Sequence, residues 1–597
     1  MLTDSTRVTS DSSPQSQMLD VLNAYLGGSE QTDRNNLTPQ SSDRLDAMEA
    51  LTAFGEASQS IVKVTDADGK RRPQTNILID LAAGLELFHD GQGNTYAIID
   101  NGHGEVWPIG SSSFTEYLSG CYYQMTGCGA NRNSMRDAVT TISSRARFDC
   151  PERKVFVRVA EVDSTIYVDL GDPDWRVIEI TSSGWRVLKK SPVMFTRSQT
   201  AMALPEPKSG GSVDLLFPFI NVADVDQSLV TGWILNTYGR GPFIHLALIG
   251  EQGTAKSTTA RILKAITDPS SMPLRAPPKD EETLLIAAVH SRVIAFDNLS
   301  GITPQLSDAL CRLSTGGGLS KRQLYTDGEE FALDLQRPCI LNGIDDIASR
   351  PDLSERTITL QLQPIHQRKE ERELWAEFEK SKPLIFGAIC DSLSAGLRYA
   401  QDLKIENLPR MADAASWITA CEQADGWTSG AFITAFHRNQ REAVSISLEA
   451  SPVTSALIQL MESRSEWNGT ATELLRFLTS LVDDDTRRSK AWPKSGDWLT
   501  KTLRRFGNPL RSVGINVEQD RTADARTIKI KKRATADLSR HSRHGVTDDD
   551  AMTAMTPFSP VRIHDAMTPA PPALSNGGAT QCRRCAGEGC RWCDPTG

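Results

Sequence analysis

The spacing of apolar and polar residues divides the chain into segments with different predicted architectures. Residues 206–365 alternate apolar, strand-like runs with helix-like runs, which is the pattern of a parallel α/β unit. Residues 61–205 contain shorter alternating stretches that are typical of a mixed α+β domain, to which no role is assigned. Within that domain we predict strands at 95–99, 155–159, 165–169 and 175–180 and a helix at 114–125.

The second half of the chain is predicted to begin with helices and to end in a small α+β unit. Residues 366–465 place apolar side chains at helical spacing. In residues 466–533, a helix at 471–481 and a second helix with one apolar face precede two predicted strands, at 514–517 and 527–530. A helix followed by a two-stranded wing resembles a winged helix domain.

Three polar segments are predicted to lie outside the folded units. Residues 1–60 are rich in Ser, Thr, Asp, Gln and Asn and are predicted to be disordered. Residues 534–580 have the composition of a flexible linker, and residues 581–597 form a cysteine-rich tail. The chain contains no apolar run of about 18 residues, and its first residues lack the apolar stretch of a signal peptide. We therefore expect a cytoplasmic protein with no membrane partner.

The clearest chemical signal is a phosphate-binding loop between a predicted strand and a predicted helix. A buried-strand pattern at 243–249 leads into a glycine-bearing loop, and helical spacing follows at 260–266. In this P-loop arrangement backbone N–H groups and the helix N-terminus hold phosphate, which predicts ATP binding. The loop residues are Gly250, Glu251, Gln252, Gly253, Thr254, Ala255, Lys256, Ser257 and Thr258.

Two side chains of this loop have predicted roles, and one position departs from the usual pattern. Lys256 is expected to reach the β- and γ-phosphates of ATP, and Ser257 is expected to ligate Mg²⁺. Ala255 occupies the position before the lysine that is usually glycine. Alanine is small enough for the loop, but a positive φ at this position would strain its backbone.

A second apolar strand, predicted at 292–296, ends in Asp297 and has the pattern of a Walker B motif. Its carboxylate is expected to hold Mg²⁺. The next residue is Asn298, where hydrolytic enzymes of this kind usually carry glutamate, and an amide can orient water but cannot accept its proton. Hydrolysis is then either slow or assisted by another carboxylate. The candidates for that base are Asp280, Glu281, Glu282 and Asp308.

A third apolar strand, predicted at 338–343, carries Asn342 near its end. An amide at this place can hydrogen-bond the γ-phosphate or the attacking water. Two arginines follow, Arg350 and Arg356. Each has two open interpretations: an arginine finger that stabilises a phosphoryl group bound by a neighbouring subunit, or a surface salt bridge.

Over residues 240–365 these motifs resemble superfamily III helicases, which are related to AAA+ ATPases. The resemblance is to the phage and plasmid primase-helicase group and to ATP-binding proteins of prophages and actinobacterial mobile elements. The shared order is a Walker A motif, a Walker B motif, the segment Thr315-Gly-Gly with Arg322 and Tyr325 after it, and a strand that ends in Asn342. The resemblance implies a P-loop core with a parallel sheet of the RecA/AAA+ kind.

The resemblance also implies roles for individual residues and a form of assembly. Lys321 and Arg322 fall where the family places a DNA-contacting loop before the sensor strand. Such enzymes form hexameric rings around DNA, so a homo-oligomeric ring on single-stranded or origin DNA is implied. The residues carried over to catalysis are Lys256, Ser257, Asp297, Asn342 and Arg356, with Asn298 at the variant position.

The charge distribution points to a separate DNA-binding module in an otherwise acidic chain. The net charge is −10, yet residues 487–533 contain 14 Lys and Arg against four Asp and Glu. Lys501, Arg504 and Arg505 fall largely on the polar face of the predicted helix and are expected to neutralise DNA phosphates. The alternative interpretation is a solvated charged surface on a small domain.

The C-terminal tail carries a candidate zinc site. Cys582, Cys585, Cys590 and Cys593 form two C-x-x-C pairs that are separated by four residues, as in zinc ribbons. Four thiolates suit tetrahedral Zn²⁺, which would build a small structural knob and take no part in catalysis. The alternative is a tail with free thiols.

These features predict an ATPase that acts as a DNA helicase or a replication-initiation ATPase of a phage or mobile element. The alternative is a regulatory or defence protein that binds ATP, hydrolyses it little and works as a switch. The Lys321-Arg322 loop favours the motor, and Asn298 favours the switch. A primase-helicase fusion is the weakest interpretation, because residues 76–205 show no evident paired-carboxylate metal motif.

Overall fold

The chain was analysed as a computed structural model, and the predicted segments 1–60 and 534–580 and the tail cysteines lie outside the residues that it describes. Side chains are not described for 319–322, 330–333, 521 and 526. The described residues are 64–66, 68–317, 319–322, 330–333, 335–344, 350–365, 369–424, 428–521 and 526–532.

The first part of the described chain is a three-stranded sheet covered by helices. Its elements are α1 (Gln74–Leu81), β1 (Glu86–His89), β2 (Thr95–Ile99), β3 (Glu105–Pro108), α2 (Ser112–Thr126) and α3 (Arg132–Phe148). The strands pair antiparallel in the order β1-β2-β3, and apolar residues of the three helices complete one core with them. The predicted strand at 95–99 is confirmed. The predicted helix at 114–125 is also confirmed, and it starts earlier because the Ser111 hydroxyl accepts a hydrogen bond from Phe114 N.

A second antiparallel sheet follows in the chain. After the short strand β4 (Val155–Phe156), this sheet consists of β5 (Val159–Val162), β6 (Thr165–Asp169), β7 (Val177–Thr181) and β8 (Gly184–Leu188), and β9 (Met194–Phe195) follows it. Strands β5 to β8 pair in chain order, and β4 pairs with β9 in parallel.

Two strand predictions in this sheet were wrong at single residues. The predicted strand at 155–159 is interrupted, because Arg158 has a φ of 61°. The predicted strand at 175–180 begins only at Val177, because Trp175 has a φ of 52°. A left-handed backbone is incompatible with β pairing, and apolar spacing gives no sign of it.

The central unit alternates strands and helices as predicted. Short 3₁₀ turns at Val213–Phe219 and Asp224–Asp226 precede it. Its elements are α4 (Gln227–Tyr238), β10 (His245–Ile249), α5 (Lys256–Thr267), α6 (Glu281–His290), β11 (Ile294–Leu299), α7 (Pro304–Thr315), β12 (Leu319–Arg322), β13 (Glu330–Leu333), β14 (Cys339–Gly343), α8 (Pro351–Ser354) and β15 (Thr357–Gln361).

Four strands of this unit form one parallel sheet in the order β11-β14-β10-β15. Every residue of β10 and β14 is buried, which accounts for their continuous apolar runs. The prediction of a P-loop-type α/β core with a parallel sheet is confirmed. Strand β14 lies between β10 and β11 although it follows both in the chain, so the ends of all three strands meet at one edge of the sheet.

Helices α9 (Glu371–Tyr399), α10 (Ala412–Cys421) and α11 (Ala431–Ala450) confirm the helical prediction for this part of the chain. Their apolar residues share one core with α4, α5, strands of the parallel sheet and the second antiparallel sheet. Helix α9 lies against β7 and β8. The second antiparallel sheet is therefore attached to the P-loop core through α9.

The C-terminal part forms a separate core around a three-stranded antiparallel sheet. Its elements are α12 (Pro452–Glu462), β16 (Glu466–Thr470), α13 (Ala471–Leu481), α14 (Asp484–Arg488), α15 (Gly496–Arg505), α16 (Gly507–Ser512), β17 (Ile515–Arg521) and β18 (Arg526–Lys532). The sheet order is β16-β18-β17. Apolar residues of α12 pack into this core, and the helix predicted at 471–481 is present with the same bounds.

Among the described helices, no single one is long and apolar enough to cross a membrane. The pair Ala431–Ala450 and Pro452–Glu462, which is bent by 98°, meets the criteria of length and composition together.

Candidate functional site

The loop between β10 and α5 has the backbone of a phosphate cradle. Gly250 and Gly253 have φ values of 152° and 89°, which residues with a side chain rarely adopt. A Cβ atom at Gly250 would lie 2.7 Å from the carbonyl oxygen of Leu362, in the segment that follows β15. The loop therefore requires glycine at this position both for its conformation and for its close approach to the neighbouring chain.

Ala255 adopts a left-handed backbone conformation, the positive φ that the sequence analysis expected to strain an alanine. Its φ and ψ are 58° and 29°, and it is the residue before the first turn of α5. Helix α5 begins directly at Lys256, earlier than the predicted helical spacing at 260–266. The N-terminal N–H groups of α5 consequently face the loop, where they can hold phosphate.

The Lys256 ammonium group lies inside the loop. Its Nζ donates hydrogen bonds to the carbonyl oxygens of Gly250 and Glu251, at 2.6 and 2.7 Å. Burial lowers the pKa of Lys256, and the nearby Asp297 carboxylate opposes this shift. The ammonium group is thus bound only by neutral carbonyl oxygens of the loop and a hydroxyl, and phosphate oxygens are stronger partners for it.

Ser257, Asp297 and Asn342 form one hydrogen-bonded cluster beside the loop. The Ser257 hydroxyl donates to Asp297, with Oγ 3.1 Å from each carboxylate oxygen. The Asn342 amide donates to Asp297 Oδ1 and to Ser257 Oγ, the latter at 3.3 Å. Asn342 is only 1% exposed. The cluster forms because β14 lies between the strands that carry the other two motifs.

The donor set of this cluster fits a magnesium ion. A serine hydroxyl and a carboxylate are oxygen ligands, and Mg²⁺ in nucleotide sites takes one or two protein oxygens together with phosphate oxygens and water. Within the part of the chain that the structure describes, no group of three or more His, Cys, Asp or Glu side chains is arranged to hold a metal ion. The four tail cysteines lie outside that part.

Asn298 lies in a β-bulge at the end of β11. The pairing of β11 with β14 shifts by one residue between Phe296 and Leu299, and Asn298 has a φ of 58°. Its backbone N–H donates to Asp297 Oδ1 at 3.1 Å, and its side chain is exposed. Asparagine tolerates the left-handed region better than glutamate does, so this backbone suits the residue that is present.

The contacts of three carboxylates considered as alternative bases, Glu281, Asp308 and Asp280, limit their availability as a base. Glu281 pairs with Arg312 at 2.8 Å, and Asp308 pairs with Arg350 at 2.9 Å. Asp280 caps α6 by accepting from Thr283 N, and this hydrogen bond lowers the pKa of its carboxyl group. The fourth, Glu282, is exposed on the first turn of α6.

The two candidate finger arginines differ in their contacts. Arg350 is held by the Asp308 carboxylate and by the carbonyl oxygen of Pro304, at 2.6 Å. Arg356 donates from Nη1 to the carbonyl oxygen of Asp352 at 2.6 Å, whereas its buried Nε has no hydrogen-bond partner among the described residues. Among the described residues, Arg356 Nε therefore has no acceptor, whereas the Arg350 guanidinium is bound to Asp308 and Pro304.

The predicted DNA-contacting residues lie on two separate elements. Lys321 and Arg322 belong to β12, whose backbone pairs antiparallel with β13. Lys501 and Arg504 are exposed on α15, and Arg504 donates to Gln519 Oε1 at 3.3 Å. Arg505 is exposed as well, but partial burial lowers the pKa of its guanidinium group, and the Arg350 guanidinium of the P-loop core lowers it further.

Sequence reasoning missed two residues that support the loop. Asn221 donates from Nδ2 to the carbonyl oxygens of Thr254 and Gln363, at 3.0 and 2.6 Å, and so ties the phosphate loop to the end of the sheet. His245, buried at the start of β10, donates from Nε2 to Leu310 O and accepts at Nδ1 from the N–H of Cys339. Neither residue belongs to a motif, and spacing gave no signal for them.

Comparison with known proteins adds two family matches. Residues 213–441 match the family of actinomycete integrative conjugative element replication proteins, and residues 453–544 match the C-terminal domain of the RepA proteins of those elements. The first match contains the whole candidate site, and the second begins within α12. No curated protein matches the chain.

Several solved structures are similar to parts of the chain. The active helicase Cch of SCCmec type IV is 14% identical over 75% of this chain and 92% of its own, with a TM-score of 0.39. The apo C-terminal region of NrS-1 is 12% identical over 76% and 98%, with a TM-score of 0.33. A full-length MCM homolog from Methanopyrus kandleri is 13% identical over 57% and 89%, with a TM-score of 0.21.

Proposed function

We propose that this protein is an ATP-dependent DNA helicase or replication-initiation ATPase of a mobile genetic element. The observation that carries the proposal is the cluster of Ser257, Asp297 and Asn342 beside Lys256. A P-loop lysine, a Walker B carboxylate and a sensor amide brought together at one sheet edge are the parts that phosphoryl transfer needs. The match of residues 213–441 to a family of replication proteins supports the same conclusion.

In this proposal the loop and Lys256 bind the nucleotide. The N–H groups at the start of α5 hold the phosphates, and Lys256 exchanges the carbonyls of Gly250 and Glu251 for phosphate oxygens. Ser257 and Asp297 would hold Mg²⁺, which neutralises negative charge on the phosphoryl group when it is bound. The Asn342 amide, already within reach of both, orients the Asp297 carboxylate and donates toward the transferring group.

Asn298 would orient the attacking water, since its exposed amide follows the Asp297 carboxylate directly. It cannot remove the proton from that water, so turnover is expected to be slow. Glu281 and Asp308 would have to leave Arg312 and Arg350 before either could act as the base. This feature keeps a second candidate function open, an ATP-bound switch with little hydrolysis.

Assembly would complete the site. An arginine finger acts on nucleotide held by another subunit, and Arg356 is the preferred candidate because the resemblance to superfamily III helicases places the finger there, whereas Arg350 pairs with Asp308. Arg350 would then anchor the segment through Asp308. This assignment implies a homo-oligomeric ring, with a hexamer as the expected size, in which each subunit needs a neighbour for full activity.

DNA would be contacted by two elements. The hairpin of β12 and β13 carries Lys321 and Arg322 in the segment before Asn342, where a ring helicase can place them in its channel. The C-terminal sheet with α13 and α15 has the element order of a winged helix and exposes Lys501 and Arg504. The four tail cysteines would bind zinc as a structural knob, and we expect the whole protein to act in the cytoplasm.

Strand displacement tests the proposed function. The intact protein with ATP and Mg²⁺ is expected to separate a forked DNA duplex with one labelled strand. Lys256→Ala should abolish displacement while it leaves DNA binding intact, because Lys256 lies in the phosphate-binding loop and is not one of the proposed DNA contacts. If the intact protein binds ATP and DNA but releases no strand from forked or bubble substrates, the switch function replaces the helicase.

A further inference from the structure

A cleft of about 360 Å³ lies between the two antiparallel sheets in the first part of the chain. Its lining residues fall between positions 84 and 195, outside the phosphate-binding loop and outside the matched range 213–441. The volume is within the range of small-molecule sites in proteins. Leu85 and Val106 come from the first sheet unit, and Val177 and Phe195 come from the second. The cleft is consequently walled by apolar side chains from two units of the fold.

Trp175 lines this cleft in a strained backbone conformation. Its φ of 52° lies in the left-handed region, which is unfavourable for a residue with a side chain. The buried Asp172 holds this turn in place. Its carbonyl oxygen accepts from Trp175 N at 3.2 Å, and its carboxylate accepts from Arg176 N at 3.0 Å. A bulky residue kept in this region by its surroundings points to a function for its side chain.

The indole ring of Trp175 is fixed from one side by a guanidinium group. The Arg197 guanidinium carbon lies 3.8 Å from the ring centroid, at stacking distance. Arg197 is itself held by the buried Asp169, with Nε–Oδ2 and Nη2–Oδ1 distances of 2.9 and 2.6 Å. The stack is therefore preorganised, and Trp175 is one of the residues that line the cleft.

Polar side chains suited to a nucleotide line the same cleft. Lys190 is exposed, and a Cβ at Gly104 would lie 3.9 Å from its Cε atom, so its side chain reaches the turn between β2 and β3. That turn also supplies His103 and Asp100. A lysine and an imidazole N–H can bind phosphate, and a carboxylate can accept from the amino or imino group of a base.

We propose that this cleft binds a nucleobase together with its phosphate, with the base stacked on Trp175 and the phosphate held by Lys190 and His103. Aromatic side chains bind bases by stacking and do so best from a rigid platform, which the pair of Arg197 and Trp175 supplies. The same chemistry is offered by a nucleotide of single-stranded DNA and by a free nucleotide. The site would act independently of the P-loop, so its test does not depend on ATP hydrolysis.

Photocross-linking locates the ligand directly. The full chain is irradiated with a single-stranded oligonucleotide that contains 5-iododeoxyuridine and, separately, with free 5-iododeoxyuridine triphosphate. Both reactions are repeated with Lys256→Ala, which weakens nucleotide binding at the phosphate-binding loop, so that labelling of the cleft is distinguished from labelling of the loop. We expect one of the two probes to cross-link to the peptide that contains Trp175, and the reactive probe identifies the source of the nucleotide.

Matched variants separate this site from non-specific labelling. Lys190→Glu is expected to lower the cross-link yield about tenfold through lost phosphate attraction, whereas Lys189→Glu, an exposed neighbour that does not line the cleft, should leave it unchanged. Trp175→Phe should retain a cross-link at residue 175. Absence of the Trp175 peptide from both cross-link maps, or equal yields from the two lysine variants, would overturn the proposal.

Discussion

Ala255 carries a left-handed backbone at the point where the phosphate-binding loop becomes α5. The position is usually glycine in P-loops, and the strain that an alanine bears there is about 1 kcal/mol. The helix nevertheless begins at the next residue, so the strain is tolerated without loss of the cradle.

Ala255→Gly is expected to raise the free energy of unfolding by about 1 kcal/mol, because it removes this strain. Ala265→Gly, in the interior of the same helix, should lower it by about 1 kcal/mol and serves as the matched control. Urea unfolding of both variants measures the difference. Equal destabilisation by the two substitutions would show that the left-handed conformation at Ala255 is not strained.

His245 links three elements of the core through its neutral imidazole. Burial, far more than any other effect, lowers its pKa to about 4, because a charged ring would have to lose its water. Since the folded-state pKa lies below the unfolded value of 6.5, the stabilising contribution is fully present above pH 6.5. It is lost as the pH falls from 6.5 through 4.

Between pH 7 and pH 5 this group alone should reduce the free energy of unfolding by about 2 kcal/mol. His245→Gln keeps a polar side chain that cannot take up a proton in this range. The variant is therefore expected to start less stable and to lose about 2 kcal/mol less on acidification, as measured by urea unfolding at the two pH values. Parallel pH dependence of variant and parent protein would rule out His245 as the titrating group.

The motif residues of the site could be predicted from the sequence, whereas the residues that hold them in position could not. Lys256, Ser257 and Asp297 stand in sequence patterns whose spacing follows from the chemistry of phosphate and Mg²⁺. Asn221 lies well upstream in an irregular segment, and only the folded chain shows that its amide holds the loop carbonyl of Thr254. Such contacts depend on tertiary proximity, which a local pattern does not encode.

At the scale of elements, the position of β14 determines the site. A strand inserted between β10 and β11 brings Asn342 within hydrogen-bond distance of both Ser257 and Asp297. Alternation of apolar runs predicted the strands and the parallel sheet, but it could not predict their order. The left-handed residues Arg158 and Trp175 also escaped prediction, because they interrupt strands without changing the apolar pattern.

Helix α15 carries three basic residues, Lys501, Arg504 and Arg505, which the sequence analysis assigned together to DNA contact. All three side chains are exposed, but the Arg505 guanidinium also lies near Arg350 and Asp352 of the P-loop core. The pair Lys501→Ala and Arg504→Ala is expected to reduce the slope of log affinity for duplex DNA against log salt by about 2. Arg505→Ala should leave that slope unchanged.

Fluorescence anisotropy with a labelled duplex at four or more salt concentrations measures these slopes. The two variants carry substitutions in the same helix, so loss of helicity would affect both of them. If the slope falls for Arg505→Ala and not for the double variant, Arg505 contacts DNA and Lys501 and Arg504 do not, which contradicts the proposal.

At the scale of the whole molecule, the described residues join several units around the ATPase core. The second antiparallel sheet shares apolar core with α9 and α4, and the C-terminal core, which includes α12, lies next to α11. Arg505 comes close to the segment of Arg350, so the basic domain and the candidate finger segment are neighbours. Binding of DNA to the basic domain is therefore in a position to affect the candidate finger segment.

ATP hydrolysis by the purified protein, with and without single-stranded DNA, tests the central claim most directly. We predict slow ATP hydrolysis that single-stranded DNA accelerates. Lys256→Ala should abolish this hydrolysis, and Asn298→Ala should reduce it without loss of ATP binding. Tight ATP binding with no turnover in the presence or absence of DNA would contradict the motor function and leave an ATP-dependent switch.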